Sequence, residues 1–354
     1  MAFCKLRLSL AALSLTLLAA CGDSGPSTFN STGMNGDLQA VTNVEDDNIS
    51  QAFDGMEQVL GSDTISLNIA SLAGQRLSAE DSRTVATLLR TATARPAISA
   101  SMAVPPAAAG KTFVWVRASA SFVASDRTGA PASGVRVILY AEDNTGTIVT
   151  PLVETGYVDF TDLSSGSTRK GRLAAVVSGS TILDYTVTVT GDETQGEIKL
   201  DGYLVSAAGR LNVNFDLTGA TGADSTTTFT LASALDLPSR NASFDFGMHG
   251  TSNSVTNAVH YALSETIKSP NGRLDVSGEG DAGADITLTI KVNGETWATL
   301  TGSTLTPADG HTLTAEDQQV LKLAGVLAKV GVLLPVGMIF PVAVLLGGFP
   351  ALPF

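Results

Sequence analysis

The chain has 354 residues, 44% of them apolar and 16% charged, a composition that excludes disorder over most of its length. Two cysteines exclude a disulfide framework and a cysteine-based zinc module, and three histidines leave little room for a histidine-rich metal site. The net charge of −13, with no basic block, speaks against nucleic acid as a partner, because phosphate neutralisation needs clustered Lys and Arg.

Residues 1–21 read MAFCKLRLSLAALSLTLLAAC. Lys5 and Arg7 precede an apolar run over 8–18 that is too short to span a bilayer stably. Small residues follow, which is the pattern of an export signal. The ending Leu18-Ala19-Ala20-Cys21 resembles the lipobox of bacterial lipoproteins. That resemblance implies a signal peptide over 1–20, cleavage before Cys21, and acylation of the Cys21 thiol and of the new amino terminus by palmitate-type chains. Several chains on one residue anchor a protein firmly. Gly22, rather than an aspartate, follows the cysteine, which in that class implies sorting to the outer membrane, on its periplasmic face or the cell surface. A plain signal peptide with a chance cysteine is the alternative.

Residues 21–38 are rich in Gly, Ser, Thr and Asn and read as a flexible tether. A helical amino-terminal segment is expected over 39–110. Ile49, Phe53, Met56 and Leu60 share one face of a helix over 44–60. Residues 64–70 alternate as a short strand. A second helix is expected over 79–93, opened by Ser78 and Asp81, and Pro96, Pro105 and Pro106 mark a linker.

Over 111–305 the apolar period changes to two, giving about thirteen expected strands. Leu183, Tyr185, Val187 and Val189 share one face, as do Leu211, Val213, Phe215 and Leu217. Asn293-Gly294 is the sharpest turn signal and predicts a two-residue hairpin that pairs Val292 with Glu295 and Ile290 with Trp297. Short connections and one apolar face per strand predict a mainly β fold with a few helices. Its centre is a large curved antiparallel meander, half-barrel or barrel-like, packed on apolar helices. A membrane-spanning barrel is the other use of such strands, but aromatics at 6% are thin for two interfacial girdles.

A carboxyl-terminal helix is expected over 306–330, starting at the capping sequence Thr314 to Asp317. The tail over 331–354 is apolar and uncharged. Pro335 and Pro341 are expected to interrupt any helix there. It has three readings: core of the sheet, membrane-inserted segment, or oligomer interface.

No Gly-x-Ser-x-Gly elbow, phosphate loop or His-Glu-x-x-His occurs. No catalytic residues and no cofactor are expected. His249, His260 and Asp245 form a weak metal candidate on one polar face, against which stands ordinary solvation of that face. Asp184, Asp201, Asp216, Asp236 and Asp245 recur on polar strand faces and read as solvated. The strand pattern resembles the half-barrel of lipid-carrier lipoproteins. That resemblance implies a concave apolar face that holds acyl chains, lined by Phe215, Phe229, Phe244, Phe246, Tyr261 and Trp297. The expected function is a non-enzymatic, lipid-anchored envelope protein that binds an apolar or acyl ligand. A structural or adhesive surface lipoprotein without a small ligand, and a hydrolase with an unrecognised cleft, are the alternatives.

Overall fold

The computed structural model describes residues 29–42, 49, 52–53, 104, 106–143, 147–192, 194–222, 224, 226–253, 255–256, 258–281, 284, 286–302, 304–309 and 312–346. The lipobox with Cys21, the expected strand over 64–70, the helix over 79–93 and His311 lie outside them. So does most of the helix expected over 44–60, although Ile49, Ala52 and Phe53 are helical.

Fifteen strands form one curved, unclosed sheet. They are β1 (Lys111–Val116), β2 (Ser121–Ser125), β3 (Gly134–Tyr140), β4 (Glu154–Asp162), β5 (Arg169–Val177), β6 (Ser180–Gly191), β7 (Gln195–Ser206) and β8 (Gly209–Thr221). Then follow β9 (Thr226–Leu237), β10 (Ala242–Asn253), β11 (Val259–Ser269), β12 (Gly272–Asp281), β13 (Thr287–Val292), β14 (Glu295–Thr301) and β15 (Thr304–Pro307). From β3 to β15 each strand pairs antiparallel with the next, and β1 joins the far side by pairing parallel to β3 and antiparallel to β2. The two edges are short strands, β2 and β15. Pro307 ends β15, and a proline cannot donate to a further strand.

Alternation sets the faces. Along β8, Leu211, Val213, Phe215 and Leu217 are buried while Asn214 is exposed. The same parity buries Leu183, Tyr185, Val187 and Val189 on β6. The Asn293-Gly294 turn forms with φ of 50° and 90°, the left-handed pair that a type I′ hairpin requires. Val292 pairs with Glu295 as expected. Ile290 instead faces Ala298, because a bulge after Ile290 shifts the register by one. Trp297 is thereby turned from the expected pairing toward Phe29, which it meets edge-on at 5.2 Å.

Two helices complete the described fold. Helix α1 (Ser31–Thr42) occupies part of the segment expected to be a tether. Its composition is poor for helix, with Gly33 and Gly36 inside it. Burial of Met34, Leu38 and Val41 at spacings of four and three overrides that weakness. Helix α2 (Ala315–Leu345) is 31 residues long and runs through both Pro335 and Pro341. The expected break between a helix and a tail therefore does not occur. Each proline forfeits one backbone hydrogen bond, but Val332, Leu334, Met338 and Val342 are buried, and that packing carries the helix across both sites. Its start is a capping box: the Thr314 hydroxyl accepts from the Asp317 amide at 3.2 Å and the Asp317 carboxylate accepts from the Thr314 amide at 2.8 Å. Burial opposes ionisation of Asp317 most strongly. Hydrogen bonds from Ser31 and Thr314 outweigh it and hold the carboxyl below its ordinary value.

By length and composition α2 could cross a membrane, yet most of it is buried against the sheet and α1. The core reading of the tail therefore holds as far as residue 346. Two close approaches seat the helix. A Cβ on Gly331 would stand 2.6 Å from the Phe244 ring of β10, and one on Gly171 of β5 would stand 2.6 Å from Val342. Helix α2 thus crosses the apolar face from β10 to β5.

Candidate functional site

Strands β7 to β11 are the centre of the sheet, and one row of paired residues crosses them. Leu200 faces Phe215, Phe215 faces Ser233, Ser233 faces Phe246, and Phe246 faces Glu265. All five are buried. Their neighbours along each strand point to the opposite, wet side.

On the buried side the structure gathers five of the six expected lining residues. Phe215, Phe229, Phe244, Phe246 and Tyr261 are buried in one apolar cluster with Val326, Leu327 and Val330 of α2. Trp297 is half-buried at the rim of that cluster and meets Phe29 edge-on. The aromatic face exists, and the chain's own helix is the occupant.

Polar groups interrupt this face. The Ser233 hydroxyl, the Tyr185 phenol and one Glu265 oxygen, all buried, have no hydrogen-bond partner among the described residues. Buried polar groups usually have one, because an unmatched group keeps its desolvation cost. Burial pushes the Glu265 carboxyl up to about 8, so it is mostly protonated at neutral pH. Burial also pushes the Tyr185 phenol up. Sequence reasoning passed over Glu265, although the signal was present. It shares the parity of Tyr261, Leu263 and Ile267, which places an acid at an inward position.

On the wet side, Ala232 and Ala234 of β9 with Gly247 of β10 leave a shallow, open depression of about 500 Å3. Lys199 and Asp201 of β7, Asn214 and Asp216 of β8, Asp245 of β10, and Ser264 and Thr266 of β11 surround it. Most of its acids already have partners. Lys199 lies 3.7 Å from Asp216 and Lys268 lies 3.9 Å from Asp245. The same holds beyond the depression, where Arg172 meets Asp184 at 2.6 Å and Asn212 donates to Asp236 at 3.0 Å. The strand aspartates read as merely solvated are thus largely cross-strand partners.

The weak metal candidate is not assembled. His249 faces Ala262, while His260 lies two pairs further along β11, opposite Thr251, and meets Asp281 of β12 at 3.0 Å. Asp245 turns to Lys268 instead. Among the described residues no group of three or more His, Cys, Asp or Glu side chains is placed to hold a metal ion. Comparison with known proteins returns nothing: no family model, no curated protein and no solved structure matches this chain.

Proposed function

We propose that the protein is an exported envelope lipoprotein, anchored through acylated Cys21, whose body is a non-enzymatic structural module without a small apolar ligand. One observation carries the second half: the aromatic side chains that an acyl chain would touch are packed with α2 in a single core. A carrier needs a preformed cavity of several hundred Å3 on its apolar side. The depression found on the central strands lies on the wet side, among charged and amide groups. The lipobox residues Leu18 to Cys21 support the anchor.

The test is mass spectrometry of the full-length protein purified from membranes. Its Cys21 peptide should carry acyl mass, and an organic-solvent extract should hold no stoichiometric lipid. Stoichiometric lipid in the extract would restore the carrier reading, with α2 as a plug that a ligand displaces. An unmodified Cys21 peptide would remove the anchor and leave the reading of the body to the extract.

A further inference from the structure

The two edges of the sheet are finished differently. Strand β15 ends on Pro307, which blocks a further strand there. Residues 121–125 of β2 (SFVAS) hold no proline and no charge, the side-chain devices that close an edge. Among the described residues β2 has one neighbour, β1, so its outward backbone N–H and C=O groups face no strand. Apolar exposure gathers on the same side of the molecule. Of the five large apolar side chains exposed among the described residues, Val123 lies on β2, while Leu152, Val153 and Leu163 flank β4. On the outer face, away from α2, Val123 pairs with Val114, and Val114 shares its face with Ile138. Ile138 faces Tyr157, and Tyr157 faces Val176. The central strands fill this face with acids, amides and threonines. Here it is an apolar row that runs from β5 to the edge and ends on Val123, 44% exposed.

Charge at this edge favours a second copy of the chain in one orientation. Arg117 stands in the turn before β2 and Asp126 directly after the strand. Arg117 has no ion pair among the described residues, and Asp126, fully exposed, meets Lys111 only at 3.6 Å. Arg127 is already held by both oxygens of Glu154. An antiparallel copy brings Arg117 of each chain to the end where Asp126 of the other leaves its strand. A parallel copy would set Arg117 beside Arg117 and Asp126 beside Asp126.

We infer that β2 is a self-association edge: a second copy of this chain pairs with it antiparallel, about a two-fold axis at Val123, and joins two fifteen-stranded sheets into one. With Val123 opposite itself, Phe122 meets Ala124 of the copy, large against small, and the two apolar rows become continuous. Five residues a side make a small contact beside the roughly 1,600 Å2 of a stable interface, so the pairing is weak, with dissociation in the micromolar range. This goes beyond the reading of the body as a structural module, and it does not depend on acylation of Cys21.

The test uses residues 21–354 with Cys21→Ala, which leaves no cysteine. Sedimentation from about 1 to 200 μM should show a reversible monomer–dimer equilibrium. Val123→Lys, which gives β2 a charge of the kind that protects natural edges, should weaken the dimer at least about tenfold and leave the circular dichroism of the monomer unchanged. Cross-linking decides the matter even if that variant does not fold. Residues directly opposite on antiparallel strands stand about 4.5–5.5 Å apart between Cα atoms, within reach of a disulfide. Val123→Cys should therefore link two chains on mild oxidation, at least about tenfold faster than Val255→Cys on the β10–β11 turn, where the side chain is 76% exposed. In a mixture, Ser121→Cys chains should link to Ser125→Cys chains rather than to their own kind. A monomer throughout, as when another stretch of the chain covers β2, overturns the inference. So does a dimer indifferent to Val123→Lys, or like-with-like linking at 121 and 125.

Discussion

The two faces of the central strands treat most of their polar side chains in opposite ways, although one buried Asp216 oxygen on the wet face also has no partner among the described residues. On the wet face Asp184, Asp216, Asp236 and Asp245 each meet a cation or an amide on a neighbouring strand. On the face under α2, Tyr185, Ser233 and Glu265 carry polar atoms with no partner among the described residues. The wet face needs its partners least, since water would replace any of them at little cost. The dry face needs them most. Its polar groups persist because the aromatic and aliphatic packing around them is strong enough to carry their cost.

If that account is right, the largest effect follows from weakening the packing itself. Phe244 is 1% exposed and stands against Gly331 where α2 meets β10. Phe244→Ala should lower the unfolding free energy by about 3–5 kcal/mol, read from chemical denaturation. A loss below about 1 kcal/mol would mean that α2 is not seated on this ring.

Glu265 sharpens the contrast through pH. Its folded value of about 8 lies above the unfolded value of 4.5. A carboxyl raised in this way contributes nothing unfavourable below the unfolded value, where both states are protonated. As pH rises from about 4.5 toward 8, the unfolded chain ionises and the folded one does not, so stability falls. By pH 7 the loss should reach about 3 kcal/mol, and above pH 8 it should level off. Glu265→Gln should flatten this slope, leaving a protein more stable than the parent at pH 8 but not at pH 4. Parallel pH profiles for the two chains would show that Glu265 is hydrated or paired in solution.

The alternation that defines these faces was legible in the residues themselves. On β6 and β8 the apolar positions recur every second residue, and a sheet turns that period directly into sidedness. Glu265 was legible by the same rule. Other features depend on distant contacts. Residues 31–38, most of helix α1, read as a tether because their glycines and polar residues disfavour helix; the partners supplied by α2 and the β11–β12 turn make them helical. Pro335 and Pro341 read as breaks for the same reason, since no local rule shows how much burial surrounds them. Trp297 was misplaced by one residue because a bulge leaves no mark in an alternating pattern. The aromatic row was correctly gathered on one face, but its occupant lay some 80 residues downstream in the chain.

The smallest effect belongs to the wet face. Arg172 donates to both oxygens of Asp184, at 2.7 and 2.6 Å, in a two-pronged pair across β5 and β6. The Arg172 side chain is half exposed and Asp184 about a quarter exposed, so solvent and salt screen most of their attraction. Asp184→Asn keeps the shape and one acceptor while removing the charge. Its cost should be no more than about 1 kcal/mol at low salt, and smaller still at high salt. A loss as large as that of Phe244→Ala would break the comparison. It would mean that the wet face is held together by charge, and that water is a poor substitute for Arg172 at this position.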